Sequence, residues 1–427
     1  MKVLLTAIGS AGDVNPSIAI GQALRQRGHQ AALLVNPYFR RQVLAAGPDF
    51  LPLGEEAHLR RLERMPSMRS QAKQSGWREL VLPNVPLLIE ALDAALRSDP
   101  PDVVVYHPLT LGARWVCERH GVRCALASLS PLVWMSREDG SVHARAGVRD
   151  TPPKWLLRLQ LSLTRYFMRW QVDRDLHPIR ARFGFARSQD FFFDHVYSCD
   201  VNLGMWSPVL RGPMPDDPPN GRICGFPWFD AGPSSEPADA ELTRFLEEGE
   251  PPIIFTMGTT PIAATSNFYQ VAAEACRRLD RRGLLLTGLE ENKPKRLPPG
   301  VLAVRFAPHS SVLPRGCATV HHGGAGTTAQ ALRAGRPTVA VPIAHDEFDY
   351  AARLKRLGTS LTLMRERVSA ATLASRLRRI LENPAIARRA ARIGEKLQQE
   401  EGAARAAELL EELVGRRTRE NAPPLAQ

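Results

Sequence analysis

The chain has 427 residues, 44% of them apolar, which excludes a disordered polymer and a single small domain and provides for two or three separate cores. Its 56 basic and 44 acidic residues leave a formal charge of +12, and the arginines are spread over helix-patterned segments, which argues against a nucleic-acid-binding tract. Six cysteines without a Cys-x-x-Cys pair or zinc spacing indicate a reduced, cytoplasmic chain, and no window reaches the roughly 18 apolar residues of a spanning helix.

The opening MKVLLTAI reads as a buried strand rather than a leader, because its apolar run is short and passes straight into GSAGD. The first half then alternates strand patterns (Val3 to Ile8, Ala31 to Val35, Val103 to Tyr106, Cys124 to Ala127, Val201 to Leu203) with helical ones such as Ser17 to Arg27 and Leu111 to His120. This is how a parallel α/β sheet reads. Gly12 and Asp13 fall in a glycine-flanked loop after the first strand, the edge at which such sheets place ligands. His107 ends the strand VVVYH.

WLLRLQLSLTRYFMRW, Trp155 to Trp170, carries aromatics, leucines and arginines at helical spacing, suited to an apolar acceptor pocket, an anionic membrane surface or ordinary packing on its own domain. Asp173-Arg174-Asp175 has the form of a metal-binding D-x-D but continues a helical pattern where such a motif should end a strand, so no metal is assigned. The Pro-, Ser- and acid-rich run 231–240 reads as a linker between an N-terminal domain, 1–230, and a C-terminal one, 241–400.

Strand patterns resume at Ile253 to Met257, Leu284 to Thr287, Leu302 to Arg305, Thr319 to His321 and Thr338 to Pro342. The fourth leads into HHGGAGTTAQAL, in which a strand, a glycine turn and a helix start leave backbone N–H groups and the positive end of a dipole aimed at one place. Phosphate suits that place. Gly324 and Gly326 permit close approach, Thr327 offers a hydroxyl, and His322 a ring N–H. GAGTTA also fits the dinucleotide pattern G-x-G-x-x-G/A, with Asp346 about twenty residues on, so spacing alone leaves an NAD(P)-dependent oxidoreductase open. From Ala370 to Arg416 the chain is helix-forming, and Asn421 to Gln427 reads as a frayed tail.

FAPHSSVLP, HHGGAGTTAQAL and AGRPTVAVPIAHDEFDYAARL, with AIGSAGDVNPSIAIGQALRQRGH at the start, resemble the two-domain nucleotide-sugar glycosyltransferases of the UDP-glycosyltransferase superfamily. The likeness is to its bacterial branch, with sterol and glycopeptide glucosyltransferases and the rhamnosyltransferase of rhamnolipid synthesis. It implies a GT-B fold: two Rossmann-like α/β domains with mostly parallel sheets facing a central cleft, and segment 401–427 packing back towards the first domain. It implies an inverting, metal-independent transfer of a hexose, glucose or rhamnose, from a UDP- or dTDP-sugar to a hydroxyl of a hydrophobic small molecule or lipid, with no cofactor. Asp13 would be the base, with His107 as its relay. The donor would meet Gly12, Gly258, Thr259, Phe306, Ala307, His309, His322, Gly324, Gly326 and Thr327, and Asp346 and Glu347 would hold the sugar hydroxyls. A catalytically inactive nucleotide-sugar-binding partner stays as a further alternative. The placement implied is cytoplasmic, with peripheral contact at the inner membrane face as the variant.

Overall fold

The computed structural model describes residues 1–57, 76–139, 153–186, 194–230, 240–258 and 267–420. It contains two parallel sheets. Strands β1 (Lys2–Thr6), β2 (Gln30–Val35), β3 (Asp49–Pro52), β4 (Val103–Tyr106), β5 (Arg123–Ser128), β6 (Val201–Gly204) and β7 (Gly221–Ile223) form the first, in the order β3-β2-β1-β4-β5-β6-β7. Strands β8 (Ile253–Thr256), β9 (Gly283–Leu286), β10 (Val301–Val304), β11 (Ala318–His321), β12 (Thr338–Ala340) and β13 (Ser360–Thr362) form the second, in the order β10-β9-β8-β11-β12-β13.

Both orders are doubly wound, so in each parallel sheet the order in which strands are added reverses at one internal seam, between β1 and β4 and between β8 and β11. The carboxyl ends of the strands beside such a seam open a crevice that helices cannot fill, and ligands bind there. The predicted central strands are present, Val103–Tyr106 with the bounds expected and the others with ends shifted by one or two residues. The edge strands β3, β7 and β13 are additions to the sequence pattern; they are three or four residues long and only partly buried, so they carry no long apolar run.

The central strands are apolar on both faces because helices cover both. Val103, Val104 and Val105 are fully buried, as are Ile253, Ile254 and Phe255. The helix Gly402–Glu420 packs on the first sheet's side of the molecule: Ala406, Ala407 and Leu410 join the core of Leu5, Ile18 and Leu24, and Glu411 receives Arg27 and His29. The proposed linker, all but Ala240, and the tail lie outside the described residues; Ala240 already opens the helix Ala240–Glu247.

Candidate active site

On the first lobe the seam holds Asp13 and His107, which follow β1 and β4. The helix after β1 starts earlier than its apolar pattern suggests, at Ala11, so Asp13 occupies the third helical position instead of a loop. Ser10 and Asp13 form a capping box: Gly12 N–H donates to Ser10 Oγ at 3.2 Å, and Ser10 N–H donates to Asp13 Oδ2 at 2.7 Å. Gly9, at φ +136°, makes room for this; a Cβ there would lie 2.2 Å from Asp13 Oδ2. One carboxylate oxygen is therefore tied down. The other, Oδ1, faces His107 Nε2 at 3.8 Å.

His107 is buried, and its Nδ1 accepts the Leu109 N–H at 3.2 Å, which leaves the ring proton on Nε2, towards Asp13. Burial lowers its pKa and Asp13 opposes that shift, so it is a neutral donor at neutral pH.

On the second lobe the corresponding seam holds Gly258 after β8 and His322 after β11. The His322 ring is enclosed by two glycines. A Cβ on Gly258 would lie 2.4 Å from its Cε1, and one on Gly324 would lie 2.3 Å from its Nε2. His322 is buried, its Nδ1 has no partner among the described residues, and burial together with His309 holds its pKa down to about 4. Its neighbour His321, the last residue of β11, is fully buried and accepts the Gly323 N–H, and burial pushes it down to about 3.

The helix Ala325–Arg333 begins here with Gly324 as N-cap and no side-chain cap, its first internal bond running from Thr328 N–H to Gly324 O. The N–H groups of Ala325, Gly326 and Thr327 thus remain at a positive helix end. A Cβ on Gly326 would meet nothing within 4 Å, so packing inside the protein does not require a glycine there. Thr327 is buried. Phe306 is half exposed beside buried Ala307, and His309 sits 3.5 Å from Thr256 Oγ1. Thr259 lies outside the described residues.

Asp346 and Glu347 divide the roles assigned to them together. Asp346 precedes the helix Glu347–Leu357 but makes no cap bond; its carboxyl meets Ser130 of the other lobe, and burial plus the Asp13 charge raise it to about 7. Glu347 turns Oε2 to the N–H groups of Ile343 and Ala344, at 2.6 and 2.8 Å, and burial raises it to about 8. One of its oxygens therefore serves its own loop. The backbone of Glu347 also closes on the glycine turn after β11, since a Cβ on Gly323 would lie 3.1 Å from Glu347 O. This continuity, from His322 through Gly323 and Glu347 to Asp346, whose carboxyl feels the Asp13 charge, brings the two seams near each other.

Three further residues belong to the site without a sign in the sequence. Ser130, at the end of β5, reaches Asp346 from the opposite lobe. His345 adopts φ +51°, uncommon for a side-chain-bearing residue, and feels the Asp13 charge. Asp230 accepts the Gln330 side-chain N–H at 3.3 Å and acts on His309. None carries a local signal, because each becomes part of the site only when the lobes meet. Asp173-Arg174-Asp175 lies within the helix Lys154–Arg182, where Asp175 accepts the Trp77 indole N–H. Trp134 packs edge-on against Trp206 in the core. The Trp155–Trp170 half of its helix is not packed on its domain in the ordinary way: Leu161 is buried, while Trp155, Tyr166, Phe167 and Trp170 are each more than 60% exposed.

Known proteins resemble this chain over nearly its whole length. Residues 3–82 match the glycosyltransferase family 28 N-terminal domain, and residues 281–413 match the C-terminal domain of erythromycin biosynthesis protein CIII-like proteins. The chain is 33% identical to the O-mycaminosyltylonolide 6-deoxyallosyltransferase of Streptomyces fradiae, over 99% of this chain and all of that one. It is 27% identical to a sterol 3-beta-glucosyltransferase of Arabidopsis thaliana, over 96% of this chain and 67% of that one. Among solved structures, the kitacinnamycin glycosyltransferase superposes with a TM-score of 0.73 at 21% identity, covering 97% of this chain and 99% of that one. The spinosyn rhamnosyltransferase SpnG complexed with thymidine diphosphate superposes at 0.65 and 17% identity, covering 96% and 100%.

Proposed function

The chain belongs to the UDP-glycosyltransferase superfamily and is a GT-B glycosyltransferase, and from that premise we propose an inverting, metal-independent transfer of a hexose from a UDP- or dTDP-sugar to a hydroxyl of a hydrophobic acceptor. The observation that carries the reading is the uncapped helix end beside His322, facing a crevice that also contains Asp13. The diphosphate lies against the N–H groups of Ala325, Gly326 and Thr327, with the His322 ring donating to it. Asp346 and the remaining oxygen of Glu347 take sugar hydroxyls, and the nucleoside rests towards Phe306, Ala307 and His309.

Asp13 Oδ1 then removes the acceptor hydroxyl proton as that oxygen attacks the anomeric carbon. The carbon–oxygen bond to the nucleoside diphosphate breaks, and its charge is met by the helix N–H groups. The His107 Nε2–H orients Asp13 and stabilises its negative form. The exposed aromatic face of Trp155 to Trp170 supports an apolar acceptor presented from the first lobe or from the inner membrane face.

The decisive variant is Asp13→Asn. Asparagine retains an oxygen for the Ser10 N–H and so keeps the cap. Transfer, followed by mass detection of products from UDP-glucose and dTDP-rhamnose, falls by about 10²- to 10⁴-fold, while nucleotide affinity stays as in the wild type. Parallel loss of both, or transfer at the wild-type rate, overturns the assignment of the base. Stabilisation by NAD with none by UDP or dTDP would overturn the donor.

A further inference from the structure

A row of buried charges crosses from one lobe to the other. In the first lobe, Arg211 donates to Asp217 at 2.7 Å through Nη1 and lies with its Nε 3.5 Å from Asp139 Oδ2. In the second lobe, Arg353 donates through Nε to Asp349 Oδ2 at 2.7 Å, and its Nη1 reaches Asp139 Oδ1 at 3.1 Å. The order Asp217, Arg211, Asp139, Arg353, Asp349 alternates in sign, with Arg356 close enough to act on both Asp139 and Asp349. The side chains of Arg211, Arg353, Asp139 and Asp349 are 0%, 1%, 6% and 0% exposed.

Each end of this row is fixed within its own lobe. Asp139 belongs to a loop held by Asp216, which accepts from Ser136 Oγ and the Arg137 N–H. Arg353 and Asp349 lie on the helix Glu347–Leu357, whose first residue follows Asp346. One turn before Arg353, Tyr350 donates its hydroxyl to Leu129 O at 2.7 Å, next to Ser130. Charges buried this deeply are stable only when paired at close range, so the row holds at a single lobe separation, and parting the lobes leaves Asp139 and Arg353 each short of a partner until water reaches them. Its effect is on geometry: it sets where Asp346 stands relative to Asp13.

We propose that Arg353 is a positioning residue: by joining Asp349 of its own helix to Asp139 of the opposite lobe, it holds the sugar-binding helix in register with the base. The proposal rests on the crevice reading above. Arg353 touches neither nucleotide nor sugar. Losing it leaves UDP or dTDP affinity intact and misplaces the anomeric carbon relative to the acceptor. The diphosphate and nucleoside contacts proposed above, from Phe306 to Thr327, lie in the second lobe, and the Gly12 N–H is already taken by Ser10 Oγ.

The test uses the full chain and the nucleotide sugar that supports transfer. In Arg353→Met, kcat for transfer falls by about 10²-fold, as expected for displacement near 1 Å, nucleotide affinity is unchanged, and the ratio of donor hydrolysis to transfer rises because water enters the cleft. Small-angle scattering of the nucleotide-bound protein shows a larger radius of gyration than the wild type. Arg353→Lys, which can meet one carboxylate but not bridge two, restores part of kcat. Should Arg353→Met not fold, Tyr350→Phe loses the hydroxyl's bonds to Leu129 O and Ser130 and gives the same changes at smaller size. Unchanged partitioning with a folded variant, or nucleotide affinity falling in step with kcat, overturns the proposal. Failure of the base assignment would show separately, as normal transfer by Asp13→Asn, and leaves the scattering result standing.

Discussion

Two strand-to-helix junctions face each other across the cleft, and they treat their helix ends in opposite ways. After β1, Ser10 and Asp13 satisfy the first N–H groups with their own side chains. After β11, the junction offers no side-chain cap, only glycines around a buried imidazole. The first arrangement fixes a carboxylate, holding one oxygen so that the other has a defined direction. The second leaves donors unsatisfied, which is tolerable only where an anion or water supplies the missing partner. On the proposed reading this suits each to its task, since a base must be oriented before reaction and a diphosphate site must stay open until its ligand arrives.

The largest test of this contrast is steric. Gly324 has φ −63°, so alanine is acceptable to the backbone there, and the three atoms nearest its Cβ would all belong to the His322 ring, the closest at 2.3 Å. Gly324→Ala displaces that ring, and at the ~1–3 kcal/mol of an overpacked contact it weakens nucleotide binding by about 5- to 150-fold. Calorimetric titration with UDP and dTDP measures it; unchanged affinity would mean that the histidine does not touch the phosphates.

Gly326→Ala separates folding from binding. Alanine in a helix is favoured over glycine by up to ~1 kcal/mol, and nothing inside the protein opposes it here. The free protein melts higher, while nucleotide binding weakens because the methyl stands where the backbone meets phosphate. Thermal melts with and without nucleotide read both signs, and a variant improved in both would remove the ligand from this turn.

The smallest effect is a pH dependence of stability in the free protein. Burial raises Asp346 to about 7 and Glu347 to about 8, and lowers His321 to about 3 and His322 to about 4. Unfolded carboxyls ionise near ~4 and unfolded imidazoles near ~6.5. Between those values the native chain holds extra carboxyl protons and lacks imidazole protons, and the two contributions oppose each other. Above ~6.5 the histidines are neutral in both states, so only the carboxyls remain, with the folded state binding more protons. Stability therefore falls as pH rises from about 6.5 to about 8. Asp346→Asn flattens that part of the melting curve; an identical slope in the variant would show that Asp346 is ionised in the free protein.

Much of this protein follows from the sequence alone. The buried central strands announce themselves as valine and leucine runs, and HHGGAGTTAQAL contains the whole strand end, glycine turn and helix start, contiguous in the chain, on which the proposed phosphate site rests. Local chemistry of that kind needs no tertiary partner. The short edge strands are invisible there because they bury too little to carry a pattern. The capping box draws Asp13 into a helix that the apolar period begins later, at Ser17.

Tertiary structure alone decided the rest. That Ser130 reaches Asp346 and that Arg353 finds Asp139 depends on contacts between residues 216 and 214 positions apart, and the facing of Asp13 and His107, 94 positions apart, is implied by the family resemblance and by no local pattern. No periodicity encodes such distances. They are set by where the doubly wound order reverses in each sheet and by how two buried seams close on each other, which is a property of packing and not of any single segment.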